Sequence, residues 1–416
     1  MEYPKLRPLE AFPVENNMIC IRDPLNFSDK MLLLPPDIFF ICALFDGRHS
    51  ILDIQAEYTR RYGDLIFSAR INKIIEQMDE CLFLENSRFH EVRKNVIEGF
   101  KNSGIRPATH AGISYEEKPD KLTQQLEDIF KQSGCSDFSR GFGVNDGNNQ
   151  NLTGLVAPHI DLRRGGTCYA WAYSELQRKS RSQTFVILGI SHSLTKTRFV
   201  LTDKDFDTPL GIIKTDKDFV RRLAGLCTTD FFLDEFAHRN EHSIEFQTLF
   251  LQYLFGGKKN FRIVPVLCAA IPLSGSSDED NQTAAEVNEF LSALKNVILE
   301  YGSEICCIAG VDLSHMGRRF GQELTLSESF LRWAEEEDRK MLQPVLDLDA
   351  EKFLDFIKKE KDKRNVCGVP AIYSLLKILQ SGGFSSSSRL LKYGRAVDPA
   401  TQSVVTFAAA GFYNAS

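Results

Sequence analysis

Three apolar runs in this chain lead into a histidine: Gly154-Leu-Val-Ala-Pro-His159, Phe185-Val-Ile-Leu-Gly-Ile-Ser-His192 and Ile308-Ala-Gly-Val-Asp-Leu-Ser-His315. Short continuous apolar runs read as buried parallel strands, and ligands of open α/β sheets bind beyond the carboxyl ends of such strands. The three imidazoles are therefore expected on one rim. A fourth, His242 in Glu241-His-Ser-Ile-Glu245, opens a helical run. The chain has only eight histidines, so half of them stand where a metal or a substrate would sit. Imidazole ligates metals and also exchanges protons near neutral pH, so both chemistries follow from the pattern. His242 and Glu245, three residues apart on one helix face, are placed for an acid–base pair or for a structural hydrogen bond.

Elements that could position these groups begin at Leu152. Strand 154–160, helix 167–179, strand 184–191, helix 242–255, strand 261–268, helix 283–301 and strand 304–312 are expected in alternation. A long helical region 324–362, helix 369–380 and strands near 388–395 and 403–412 follow. This pattern predicts a layered α/β/α domain with a central, mostly parallel or mixed sheet over residues 105–416. The turn-rich segment Gly134–Gln150 reads as a surface loop. Cys306 and Cys307 fall in one strand, where neighbouring side chains point to opposite faces and a thiol packs as a small apolar group.

Residues 1–100 read as a separate unit. Pro35-Pro36 opens a helix, Ser50-Ile-Leu-Asp53 is a helix N-cap with an acidic residue three positions on, and a second helix runs to Tyr62-Gly63. Ser68, Ile71, Ile74, Ile75, Met78 and Cys81 carry the three-and-four spacing of an amphipathic helix. Cys81–His90 is expected to form a small hairpin turning at Asn86-Ser87. Three helices and a hairpin predict a winged-helix-like fold. Twelve Lys and Arg against sixteen Asp and Glu in this stretch disfavour DNA, whose phosphates demand a basic face.

The full chain of 416 residues carries a net charge of −6, with 43% hydrophobic and 25% charged residues. That is ordinary globular composition, without the basic surplus that nucleic acid or an anionic membrane would require. The N-terminus lacks the pattern of a signal peptide, and the apolar stretch Met31–Phe45 is broken by Pro35, Pro36 and Asp37. Ten cysteines without a Cys-x-x-Cys knuckle suggest reduced thiols in a cytoplasmic protein.

The ordered set Thr109-His-Ala-Gly-Ile-Ser-Tyr115, Ala157-Pro-His159, Leu188-Gly-Ile-Ser-His192, Thr208-Pro-Leu210, Glu241-His-Ser-Ile-Glu245, Ile263-Val-Pro-Val-Leu267, Asp312-Leu-Ser-His315, Val366-Cys-Gly368 and Ala409-Ala-Gly411 resembles the Memo family. Its bacterial members are named AmmeMemoRadiSam system protein B. The resemblance covers roughly residues 105–416. It implies a fold like the class III extradiol dioxygenases and a metal held by two histidines and a cysteine, here His159, His192 and Cys367. His242 and His315 would be the pocket's acid–base residues. Imidazole with thiolate suits iron, zinc or copper, and iron is expected from the dioxygenase likeness. Cys367 precedes a helix, whose N-terminus would favour its thiolate. In residues 1–100, Leu44-Phe-Asp-Gly-Arg-His-Ser-Ile-Leu-Asp-Ile54 resembles PqqD-like peptide-recognition modules of radical-SAM maturation systems.

One departure from the family pattern bears on ligands. Where many relatives continue with a Gly-Tyr segment, this chain reads Ile160-Asp-Leu-Arg-Arg164, placing Asp161, Arg163 and Arg164 beside the pocket; the arginine fork suits a carboxylate or phosphate. Three functions follow. The first is a metal-dependent redox enzyme or maturation factor working with radical-SAM and AMMECR-type partner proteins. The second is a scaffold that binds a metal, a small molecule or a peptide without turnover. The third is a hydrolase with Cys367 as nucleophile.

Overall fold

The computed structural model describes residues 2–14, 16–135, 150–271, 278–380 and 384–415. Most of the expected loop Gly134–Gln150 thus lies outside the described residues. The chain forms two compact units, Met1–Asn102 and Ser103–Ser416.

In the first unit, strands β1 (Glu10–Val14), β2 (Met18–Arg22) and β3 (Met31–Leu34) form an antiparallel meander. Helices α1 (Pro36–Ala43), α2 (Ile51–Tyr62), α3 (Ser68–Glu80) and α4 (Ser87–Asn102) follow. Ser50 and Asp53 close the reciprocal cap of α2, and Gly63 ends it in the left-handed region at φ 76°. Ile71, Ile74, Ile75 and Met78 form the buried face of α3. The expected hairpin over Cys81–His90 is absent. Asn86 is instead the cap of α4: its Oδ1 accepts from the backbone N of Phe89 at 3.0 Å. Asn and Ser serve a helix start as well as a turn, and the apolar contacts of Phe89 and Phe100 decide for the helix.

The second unit contains β4 (Ile105–Arg106), α5 (Pro119–Gln132), β5 (Gln150–Ala157), α6 (Leu162–Lys179), β6 (Thr184–Ile190), β7 (Phe199–Leu201), β8 (Asp205–Phe206) and α7 (Lys217–Ala224). Then come α8 (His242–Phe255), β9 (Arg262–Cys268), α9 (Asp278–Tyr301), β10 (Ile305–Gly310), β11 (His315–Gly317), α10 (Glu328–Leu346), α11 (Ala350–Glu360), α12 (Val369–Leu379), β12 (Ser387–Asp398) and β13 (Ser403–Ala415). The long helical region expected over 324–362 is two helices, parted where Leu348 takes a positive φ of 58°.

The main sheet is mixed and runs β11-β13-β5-β10-β6-β9-β7, with β12 on β13. Strands β5, β10, β6 and β9 are parallel, whereas β13 and β7 flank them antiparallel. Side-chain alternation along β6 divides the core. Val186 and Leu188 pack with α9 and α12 residues such as Phe290 and Leu375; Phe185 and Ile187 pack with α6 and α8 residues such as Tyr173 and Phe250. Cys306 and Cys307 separate in the same way, as expected. β10, late in the chain, inserts between β5 and β6, and the carboxyl ends of these strands form the rim where open α/β sheets place their ligands. Among the described residues, no helix is long and apolar enough to cross a membrane.

Candidate metal centre

His159 and His192 stand just past the ends of β5 and β6, and His242 is the first residue of α8. One nitrogen from each of the three rings lies within 4.8 Å of the others. The ring centroids of His159–His192, His159–His242 and His192–His242 are 5.1, 5.2 and 4.8 Å apart. Close packing of α8 onto the sheet makes this possible. A side chain at Gly310 would meet the Ser243 carbonyl oxygen at 2.7 Å, and one at Gly189 would meet Ser243 Oγ at 2.5 Å. With glycine at both positions, the first turn of α8 descends onto the ends of β10 and β6.

Hydrogen bonds at Nδ1 orient two of the rings. His159 Nδ1 donates to the Gly310 carbonyl at 3.0 Å. His192 Nδ1 lies 3.0 Å from Glu241 Oε1, and the His192 backbone N donates to Glu241 Oε2 at 2.9 Å. A proton committed at Nδ1 leaves the Nε2 lone pair free, which is the arrangement of metal-ligating histidines. Burial and the neighbouring imidazoles hold His159 and His242 down to about 3. Both are therefore neutral at pH 7, as a ligand must be. For His192, burial acts downward, but the Glu241 carboxylate outweighs it and the pKa is raised. The same pairing, with His242 beside it, overcomes the burial of Glu241 and holds its carboxyl well below the usual range.

Cys367 lies just before α12, with Sγ 3.4 Å from His159 Nε2 and 3.6 Å from the Asp312 carbonyl. The helix start does not prevail at this thiol. Burial, reinforced by the Asp312 carboxylate, pushes it well up. Asp312 accepts from the backbone N of His159 and Ile160 at 3.0 and 3.2 Å, and burial raises it to about 6. His315 opens β11, with Nδ1 on the Leu313 carbonyl at 3.1 Å and burial lowering its pKa. A buried cluster fixes this stretch: Arg364 pairs with Asp338, bonds Ser314 Oγ at 3.0 Å, and accepts the His315 backbone N at 2.7 Å through its carbonyl.

Glu245 does not face the three imidazoles as an acid–base partner. Its buried carboxylate is ion-paired with Arg106 and accepts from Thr109 Oγ1 at 3.2 Å, the His110 backbone N at 3.0 Å and Tyr115 OH at 2.5 Å. Arg106 also reaches the carbonyls of His238 and Glu241 at 3.0 and 2.8 Å. Segment 106–115 is thereby tied to the start of α8, and His110 packs 5.7 Å from the His242 ring. Asp161 caps α6 and is ion-paired with Arg164, and both Arg163 and Arg164 are exposed.

Sequence reasoning assigned no role to Glu241, Asp312 or His110. Glu241 alone had a local signal, a carboxylate next to a helix-opening histidine. The other two act through contacts that only the fold creates.

Fold and site together define an α/β protein in which two strand-end histidines and one at a helix start form a group able to hold a metal ion. The chain belongs to the Memo family: the family model for Memo-like proteins matches residues 106–411. A MEMO1 family protein of Aquifex aeolicus is 30% identical over 410 residues, covering 99% of this chain and all of the relative; that match spans both compact units. MEMO1 family proteins of Methanopyrus kandleri and Methanococcoides burtonii are each 32% identical, over 69% and 60% of this chain and 91% and 82% of their own lengths.

Proposed function

We propose that His159 and His192 hold a divalent metal together with Cys367 or His242, and that the protein is a Memo-type, metal-dependent redox enzyme or maturation factor. The observation that carries this reading is the convergence of three imidazole nitrogens within 4.8 Å, with Cys367 Sγ beside His159. The donors fit such a group, because neutral imidazole and a thiol able to ionise on metal binding suit iron, zinc or copper. Iron is favoured by the dioxygenase-like fold that the Memo resemblance implies. A bound metal would supply Lewis-acid or one-electron chemistry.

The chain's own residues do the rest. Glu241 and Gly310 orient the imidazoles, and His315 exchanges protons with the substrate at Nε2. Arg164, held by Asp161 at the start of α6, meets the anionic end of a ligand. The N-terminal unit acts as the PqqD-like module that receives a peptide of a radical-SAM and AMMECR-type system. Ten free cysteines suit a reducing cytoplasm.

Elemental analysis of protein purified without oxygen, followed by oxygen uptake with the iron-loaded form, tests the reading. Metal-free wild-type protein that takes up no iron, zinc or copper would refute the centre. Metal binding without oxygen uptake or product would leave the binding scaffold. The contact between Cys367 and His159 favours one further reading, a cysteine nucleophile. Alkylation of Cys367 that spares bound metal while abolishing turnover would establish it.

A further inference from the structure

We infer that Glu241 is a positioning residue shared by two imidazoles, and that it turns His192 and His242 into one preorganised pair. This rests on the metal-centre reading above but is read separately from it. The Glu241 side chain is only 5% exposed, and one of its oxygens lies near the Nδ1 of both rings. His192 Nδ1 is 3.0 Å from Oε1 and 3.1 Å from Oε2. His242 Nδ1 stands 3.3 Å from the same Oε1. The two rings stack, with 19° between their planes.

A carboxylate has only acceptor sites, so the His192 Nδ1 that bonds it carries the proton, and the same negative oxygen 3.3 Å from His242 Nδ1 favours the proton on that nitrogen too. Both Nε2 atoms are then bare and able to ligate. Histidine ligands commonly owe their tautomer to one carboxylate each; here a single buried carboxylate serves two. Glu241 also accepts from the backbone N of His192 and of Ser243, at 2.9 and 3.0 Å. It therefore fixes the backbone as well as the rings, joining the end of β6 to the start of α8. His159 is independent of it, because its Nδ1 is satisfied by Gly310.

The test uses the full chain, metal-free, with 15N-labelled histidine, at a pH where the imidazoles are neutral. Long-range 1H–15N spectra should show His192 and His242 protonated at Nδ1. Glu241→Gln preserves shape but presents one amide oxygen where two carboxylate oxygens stood, and Glu241→Asp keeps the charge but withdraws it by one methylene. In both, the His192 and His242 signals should move towards mixed tautomers while His159 stays unchanged. Affinity for Zn2+ or Fe2+ should fall roughly 10–100-fold, the size usual for losing a ligand's orienting partner. A purely structural role would instead shift the unfolding midpoint without altering tautomers.

If wild-type His192 or His242 carries its proton on Nε2, the inference is overturned whatever the metal does. It is also overturned if folded Glu241→Gln and Glu241→Asp proteins keep wild-type tautomers and affinity. Wild-type protein that shows both Nδ1–H tautomers yet binds neither ion overturns the metal reading and supports the positioning role.

Discussion

Sγ of Cys367 and Nε2 of His159 lie 3.4 Å apart, although 208 residues separate them in sequence. The thiol donates to a bare imidazole nitrogen whose other nitrogen is held by the Gly310 carbonyl. In a metal-free protein this contact satisfies both groups; a metal would replace the shared proton. Because burial drives the free thiol up, metal uptake through Cys367 releases a proton and should weaken as pH falls.

Ligand replacement separates the donors. His159→Ala and His192→Ala should each reduce bound metal at least roughly tenfold, because three-ligand sites seldom tolerate losing one. Cys367→Ser should remove any sulfur scattering at about 2.3 Å from the metal-edge spectrum, whereas His242→Ala should leave it in place. A Cys367→Ser spectrum identical to wild type would exclude Cys367 and leave His242 as the third donor.

The pair Arg106–Glu245, both side chains fully buried, should contribute to the acid stability of the second unit. Burial acts to raise the Glu245 pKa, but Arg106, His110 and the Tyr115 hydroxyl outweigh it, so the folded value is lowered. A lowered carboxyl stabilises the fold above its unfolded pKa, about 4.3, and that stabilisation is lost as pH falls through the folded value. Arg106→Met leaves a buried charge without its partner and should cost about 3–5 kcal/mol at pH 7 in urea unfolding. The double variant Arg106→Met with Glu245→Leu should recover part of the loss. A double variant no better than the single would refute the pairing argument.

Much of this was legible in the sequence. The runs through Ile187 and Ile308 are short and wholly apolar, as buried strands are, and the helix expected over 242–255 matches α8. Strand order was not legible: the pairing of Ala309 with Val156 and Leu188 is a long-range choice that no local pattern encodes. Asn86 was misread because the same side-chain oxygen that makes a turn also caps a helix. His242 could be placed at a helix start, but its approach to His159 depends on two glycines far away in sequence.

Replacing Arg164 by Met tests the rim. Its ion pair with Asp161 is exposed, and such pairs contribute about 0–1 kcal/mol, so the unfolding midpoint should barely change. Metal content should match wild type, and affinity for carboxylate- or phosphate-bearing ligands should fall several-fold. Asp161→Ala should cost more, about 1 kcal/mol, because it also removes the cap of α6. Unchanged affinity of Arg164→Met across a panel of anions would confine both residues to holding the helix start.

Gly310→Ala isolates the approach of α8 from every ligand side chain. Its new methyl would meet the Ser243 carbonyl at 2.7 Å and Gln247 Nε2 at 2.8 Å. Neither neighbour yields cheaply: Ser243 is backbone in the first turn of α8, and Gln247 is held by Pro158 and Tyr173 at 2.9 and 2.7 Å. The helix start must lift, taking His242 away from His159 while the donors themselves stay chemically intact. Overpacking of this kind costs about 1–3 kcal/mol. Gly99→Ala is the control, since it lies in a helix with nothing within 4 Å of the new methyl, and it should be neutral or mildly stabilising. Gly310→Ala should therefore lower the unfolding midpoint and cut metal affinity together, with the Nδ1 bond from His159 to residue 310 disturbed as well. A folded Gly310→Ala protein with wild-type metal affinity would show that neither His242 nor the helix start contributes to the centre.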